Sequence, residues 1–178
     1  MRDHIKKILL DEEKISEKIK ELGSLISRDY EGKDLVLVGV LKGSVMFMAD
    51  LLKEITIPCC MDFMAVSSYG NSTTSSGVVR ILKDLDFEIE GKDVLVVEDI
   101  IDSGITLKYL MEYLKGRKPN SLEIVCLLDK PERRKAEIGV KYKGFSVPDE
   151  FLVGYGLDYA EKYRNLPFIG VLKEEIYK

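Results

Sequence analysis

The chain has few of the side chains on which much enzyme chemistry runs. Its 178 residues include one histidine, three cysteines and no tryptophan. The histidine, His4, stands at an end expected to be mobile, which argues against Ser-His-Asp or Cys-His catalysis and against an imidazole-built metal site. Cys59, Cys60 and Cys126 fit neither a zinc motif nor a disulfide framework and read as free thiols. No apolar run approaches the roughly 20 residues that span a bilayer. The start, Met1-Arg2-Asp3-His4-Ile5-Lys6-Lys7, lacks the apolar core of a signal peptide. The expectation is a soluble, cytoplasmic protein without a membrane partner. Positive charge is also lacking, since 27 basic against 31 acidic residues give a net charge of −4. A clamp on nucleic acid driven by global charge is disfavoured, although a local basic patch is not excluded. No repeat, low-complexity tract or Pro/Ser linker divides the chain, so a single domain over residues 1–178 is expected.

What remains is ample for a core, with 46% hydrophobic residues. Asp11 to Tyr30 reads as an amphipathic helix: Asp11 can cap it, and Ile15, Ile19, Leu22 and Ile26 share one face. Leu35 to Val40 is a continuous apolar run, typical of a strand covered on both faces. A helix over Val45–Lys53 and a strand over Cys59–Ser67 follow. Next come a Gly/Ser/Thr-rich loop, Ser68 to Gly77, and a strand from Val78 to Lys83. Val94–Val97 and Leu122–Leu128 read as buried strands flanking a helix from about Ile105 to Lys115. Short strands at Phe151–Val153 and Phe168–Leu172 close the chain. This alternation predicts an α/β fold with a parallel sheet, whose ligands sit at the carboxyl ends of the strands.

The turn after one buried strand concentrates the chemistry. Val94-Leu95-Val96-Val97 runs straight into Glu98 and Asp99, and Ile100-Ile101-Asp102-Ser103-Gly104-Ile105-Thr106 then opens a helix. Small residues let backbone N–H groups converge on an anion, and a helix N-terminus favours negative charge. The loop therefore suits a phosphate. Glu98 and Asp99 would repel that phosphate unless they serve sugar hydroxyls or a magnesium ion beside them. The plain alternative is a surface turn with solvated acids and a Ser/Gly helix cap.

This stretch resembles the 5-phosphoribosyl-1-pyrophosphate (PRPP) signature of the type I phosphoribosyltransferases. Leu41-Lys42-Gly43-Ser44, Ser68-Tyr69-Gly70, Leu128-Asp129-Lys130 and Phe151 to Tyr159, in this order and spacing, are similar to the hypoxanthine-guanine branch. The resemblance covers nearly the whole chain. It implies a parallel-sheet core with a small hood formed from the chain ends. It also implies transfer of a phosphoribosyl group from PRPP to hypoxanthine or guanine, making IMP or GMP and pyrophosphate with Mg²⁺.

The same resemblance assigns roles. Asp102 matches the general acid/base at the purine N7, with a helix N-cap as its bland alternative. Glu98 and Asp99 match the acidic pair facing the ribose hydroxyls and Mg²⁺, and Ser103, Gly104, Ile105 and Thr106 match the 5′-phosphate loop. Lys42 and Gly43 match the pyrophosphate turn, where the peptide before the lysine can be cis. Arg164 matches a second pyrophosphate contact, and Asp158 a carboxylate for a second Mg²⁺. Lys130 matches the donor to the purine 6-oxo group, Phe151 the stacking ring, and Leu152 the backbone that reads the base edge. Ser68 and Tyr69 open the segment that matches a closing lid. A homodimer or homotetramer is implied by family alone. Pro131 and the Arg133-Arg134 pair fit no assigned role.

Other motifs fail. Gly154-Tyr155-Gly156-Leu157-Asp158-Tyr159 has Tyr159 where a dinucleotide fingerprint needs its last glycine, and no P-loop is present. Asp84-Leu85-Asp86 reads as a solvated turn. Two rivals remain: a PRPP-sensing regulator that binds nucleic acid on the same fold, for which the −4 charge gives no support, and a transferase for another base such as a pyrimidine.

Overall fold

A computed structural model describes residues 1–68 and 79–178. The elements in chain order are β1 (Ile5–Leu10), α1 (Glu12–Asp29), β2 (Leu35–Leu41), α2 (Val45–Glu54), β3 (Cys59–Ser68), β4 (Val79–Lys83) and β5 (Asp93–Ile101). They continue with α3 (Ile105–Lys115), β6 (Ser121–Asp129), β7 (Tyr142–Ser146), β8 (Leu152–Val153), β9 (Ile169–Leu172) and α4 (Glu174–Tyr177). The lid expected to open at Ser68 and Tyr69 falls, from Tyr69 onward, outside the described residues.

The central sheet has the order β4-β3-β2-β5-β6-β7. The pairings β3/β2, β2/β5, β5/β6 and β6/β7 are parallel, and β4 is an antiparallel edge. The continuous apolar run of β2 has a simple cause. Leu35 and Leu37 enter one core with Ile15, Ile19, Leu22 and Ile26 of α1 and with Phe47 and Leu51 of α2. Val36, Val38 and Val40 point the other way, into a second core with Leu107, Leu110 and Leu114 of α3. A strand roofed on both faces cannot alternate apolar with polar. The expected cap also forms: the Asp11 side chain accepts a hydrogen bond from Lys14 N–H at 2.9 Å and satisfies an otherwise unpaired donor of α1.

The chain ends meet in a separate antiparallel sheet, β1-β9-β8, which is the expected hood. His4 is consequently not at a loose end. Lys173 N–H donates to His4 O at 2.9 Å, and His4 Nδ1 lies 2.7 Å from Tyr163 Oη. Pairing of β1 with β9 places it there, a contact across 159 positions of sequence. A second difference concerns Asp84, expected in a solvated turn. Its carboxylate accepts hydrogen bonds from both Tyr113 and Arg117 of the α3 region and ties the end of β4 to that helix. Tyr113 sits in the last turn of α3 and Arg117 in the turn just past its end, and the two converge on a single acceptor.

Candidate active site

The carboxyl ends of β2, β5 and β6 lie side by side, and the loops leaving them build the site. At the end of β5, Glu98 and Asp99 are half-buried rather than solvated. Burial raises the pKa of both, and the Asp99 charge adds to the rise at Glu98. Two adjacent carboxylates withdrawn from water carry more negative charge than their surroundings compensate.

The following turn is closed by Gly104, which has φ +79° and serves as the N-cap position of α3. A side chain there would be strained in backbone and would press on Ile138 and Arg134. Ser103 Oγ accepts from Ile105 N–H at 3.4 Å. Glu98, Asp102, Ser103, Gly104 and Thr106 line a small cavity of about 150 Å³ at the start of this helix. Ile105 supplies the first helical turn. Asp102 therefore is not the helix cap that its position allows, because the cap falls two residues later, at Gly104. Its side chain instead meets Arg133, with Nε 2.6 Å from Oδ1.

A second cavity, about 550 Å³, opens beside the first. It brings together Asp99, Asp102, Lys130, Phe151, Leu152 and Asp158, which are scattered over 60 positions of sequence. Lys130 follows β6 directly and its backbone N–H donates to Ile101 O at 3.0 Å, which locks the end of β6 to the end of β5. Lys130 is 8% exposed, so the default expectation of a solvated lysine does not hold. Its Nζ donates to Glu150 O at 2.8 Å and lies 4.0 Å from Asp149. Burial pulls its pKa down, although Asp102 and Asp149 pull the other way. Two N–H donors of the ammonium remain for a ligand. Phe151 is half-buried at the cavity wall.

The third part is the turn after β2. Leu41-Lys42 is a cis peptide. Gly43 lies so close to Asp99 that a Cβ would overlap Asp99 Oδ2, so a larger residue here would displace the Asp99 carboxylate. The Gly156 segment packs in turn on the Gly43 carbonyl. Arg164 is anchored from Nη1 to Gly156 O at 2.7 Å and contacts Asp158 at 3.1 Å. Its Nε is buried without a hydrogen-bond partner among the described residues. Glu161 spans the two cations of this corner, at 2.9 Å from Lys42 and 3.3 Å from Arg164. A carboxylate between a lysine and an arginine marks a place suited to a polyanion.

A family profile for the phosphoribosyl transferase domain matches residues 6–160. The chain belongs to the phosphoribosyl transferase family. It is 57% identical to the hypoxanthine-guanine phosphoribosyltransferase of Bacillus subtilis over 178 residues, covering 100% of this chain and 99% of that protein. It is 59% identical over 177 residues to the protein of that name from Staphylococcus aureus, covering 99% of each. The crystal structure of a Staphylococcus aureus hypoxanthine phosphoribosyltransferase superposes with a TM-score of 0.98 at 58% identity, covering 100% of this chain and 97% of that one.

Within this phosphoribosyltransferase site, sequence reasoning had no role for Arg133 or Arg134. Arg133 bridges Asp102 and Asp149, the latter at 3.3 Å. Arg134 pairs with the buried Asp129 and donates from Nε to Asp102 O at 3.3 Å. The loop carrying them is further tied by Lys135 N–H to Ser103 O at 2.9 Å. Two consecutive arginines after Lys130 were the available signal, but nothing local says which carboxylates they meet.

The oxygen-rich set is chemically suited to a hard divalent cation. Among the described residues no three His, Cys, Asp or Glu side chains cluster as a metal cage. Magnesium does not need one, since it is commonly held by one or two carboxylates with substrate phosphates and water. The surplus negative charge at Glu98 and Asp99 fits such an ion.

Proposed function

We propose that the protein transfers the phosphoribosyl group of PRPP to hypoxanthine or guanine, releasing pyrophosphate and forming IMP or GMP. The observation that carries this reading is a single cavity holding a buried lysine, an aspartate and an aromatic ring, next to a small-residue helix N-terminus.

Breaking the anomeric bond leaves an oxocarbenium-like ribose and a highly charged leaving group, so the work is electrostatic and positional. Ser103, Gly104, Ile105 and Thr106 bind the 5′-phosphate through amides and hydroxyls. Glu98 and Asp99 hold the ribose hydroxyls. Lys42, Gly43 and Arg164 face the pyrophosphate, which takes the place of the Glu161 carboxylate between the two cations. Glu98 and Asp99 would hold one Mg²⁺ and Asp158 a second, and the metal would supply charge compensation for the diphosphate. At the base, Lys130 donates to the 6-oxo oxygen, Phe151 stacks on the ring and the Leu152 backbone reads its edge. Asp102 exchanges the proton at N7; with His4 committed to Tyr163 in the hood, a carboxylate is the available proton carrier.

No described helix is long and apolar enough to cross a membrane. We place the enzyme in the cytoplasm, as a homodimer or homotetramer acting on small molecules and not on nucleic acid. The deciding experiment is PRPP-dependent turnover measured across hypoxanthine, guanine, xanthine, adenine and uracil. Activity confined to 6-oxopurines supports the reading. Activity on uracil instead, or PRPP binding with no turnover of any base, overturns it.

A further inference from the structure

We infer that Tyr177 is a positioning residue for the purine: by stacking on Phe151 it holds that ring in the plane the base needs. The inference rests on the reading of the 550 Å³ cavity as the base site.

Phe151 precedes the two-residue strand β8, so the sheet itself fixes little of its side chain. Its backbone is held by Leu172 N–H, which donates to Phe151 O at 2.8 Å. Its ring is held by other rings. Tyr177 stacks on it with centroids 4.7 Å apart and planes 23° from parallel. Tyr159 meets it edge-on at 5.6 Å and 87°. Tyr159 and Tyr177 close the triangle at 6.5 Å and 66°. These are the offset-stacked and T-shaped arrangements that the ring quadrupoles favour.

Tyr177 also borders the same cavity as Lys130, Asp102 and Phe151. It is delivered there by α4, a single helical turn. That turn is fixed to the hood through Lys173 N–H to His4 O at 2.9 Å, and Ile176 N–H to Lys173 O at 3.1 Å closes the turn itself. With one face of Phe151 covered by Tyr177, a base stacks on the other. An unsupported phenylalanine would sample rotamers and lose that freedom each time a base binds. A ring already clamped loses little, so the stack favours base binding through preorganisation. Neither the phosphate loop nor the pyrophosphate corner contains Tyr177, so the effect belongs to the base alone.

The test compares the parent with Tyr177→Ala, Tyr177→Leu and Tyr177→Phe in steady-state kinetics, with thermal unfolding followed in parallel. The expected result is a rise of about two- to tenfold in the KM for hypoxanthine and guanine in the alanine and leucine variants. The KM for PRPP and kcat should stay within about twofold of the parent, on the scale of a small perturbation. Tyr177→Phe, which keeps the ring, should behave as the parent. The leucine variant keeps apolar bulk without a π face, so it reports on stacking if the alanine variant folds poorly. An unchanged or lowered base KM in Tyr177→Leu overturns the inference, the lowered value meaning that Tyr177 occupies the base's own place. So does a parallel rise in both KM values, or impairment in Tyr177→Phe. No hypoxanthine turnover by the parent overturns the cavity reading itself, and this proposal with it.

Discussion

Replacing Lys130 by methionine removes the charge from the base cavity while keeping most of the side chain's length and apolar stem. In the parent, Lys130 is 8% exposed and one of its donors is engaged by Glu150 O at 2.8 Å. The remaining donors suit an oxygen at C6 of the purine and oppose an amino group there, because an ammonium has no acceptor. A hydrogen bond from a charged donor contributes about 1.5–3 kcal/mol, so Lys130→Met should lower kcat/KM for hypoxanthine and guanine by about 10- to 150-fold. Adenine should be a poor substrate for the parent by about 5- to 150-fold, the result of leaving donors against donors at about 1–3 kcal/mol. The sign of the pH effect follows from burial, which lowers the Lys130 pKa. The charge is present below that lowered value and lost as pH rises through it. The alkaline fall in kcat/KM for hypoxanthine should therefore begin below the ordinary lysine range, and the part due to Lys130 should vanish in Lys130→Met. Calorimetry should find PRPP affinity nearly unchanged, since the phosphate loop and the pyrophosphate corner do not include Lys130. Equal use of adenine and hypoxanthine by the parent, or an unchanged hypoxanthine rate in the variant, would refute the assignment.

Asp102→Asn keeps size and loses the exchangeable proton, so kcat should fall by about 10²- to 10⁴-fold with PRPP affinity nearly intact. A near-parental rate would reduce Asp102 to a partner of Arg133. Chelation of divalent metal should abolish turnover and Mg²⁺ should restore it, while Asp158→Ala should raise the Mg²⁺ concentration needed for half-activity in a titration. Glu161→Gln removes the carboxylate shared by Lys42 and Arg164, so its PRPP KM should fall; an unchanged value would mean that Glu161 does not compete for this corner. For stability, burial raises the Asp84 pKa, but hydrogen bonds from Tyr113, Leu85 N–H and Arg117 outweigh it and the net shift is downward. A lowered carboxylate pKa contributes stability above the unfolded value and loses it as pH falls through the folded one. Arg117→Gln should accordingly be less stable than the parent near pH 6, with the gap narrowing in urea titrations as pH falls below the ordinary aspartate range.

The sequence by itself determined the layers of the fold and the place of the phosphate loop. A doubly roofed strand must be apolar throughout, so β2 and the first half of β5 stand out from local pattern alone. Glu98 to Thr106 is legible for the same reason: its chemistry is contiguous, with acids, small residues and a helix start in a row. Two other strands escaped that logic. β1 carries Ile5-Lys6-Lys7-Ile8-Leu9-Leu10, with Lys6, Lys7 and Ile8 exposed and no clean alternation, and it exists because β9 pairs with it from the other end of the chain. β7 is a five-residue edge strand parallel to β6, held by its neighbour more than by its own propensity. The fate of single side chains was likewise a tertiary decision. Whether Lys130 is solvated or buried, whether Asp102 caps a helix or meets Arg133, and whether Tyr177 ends a tail or stacks on Phe151 depend on segments far apart in sequence. Local periodicity reports which face of an element is covered; only the closed fold decides what covers it, because long-range contacts carry no signal in neighbouring residues.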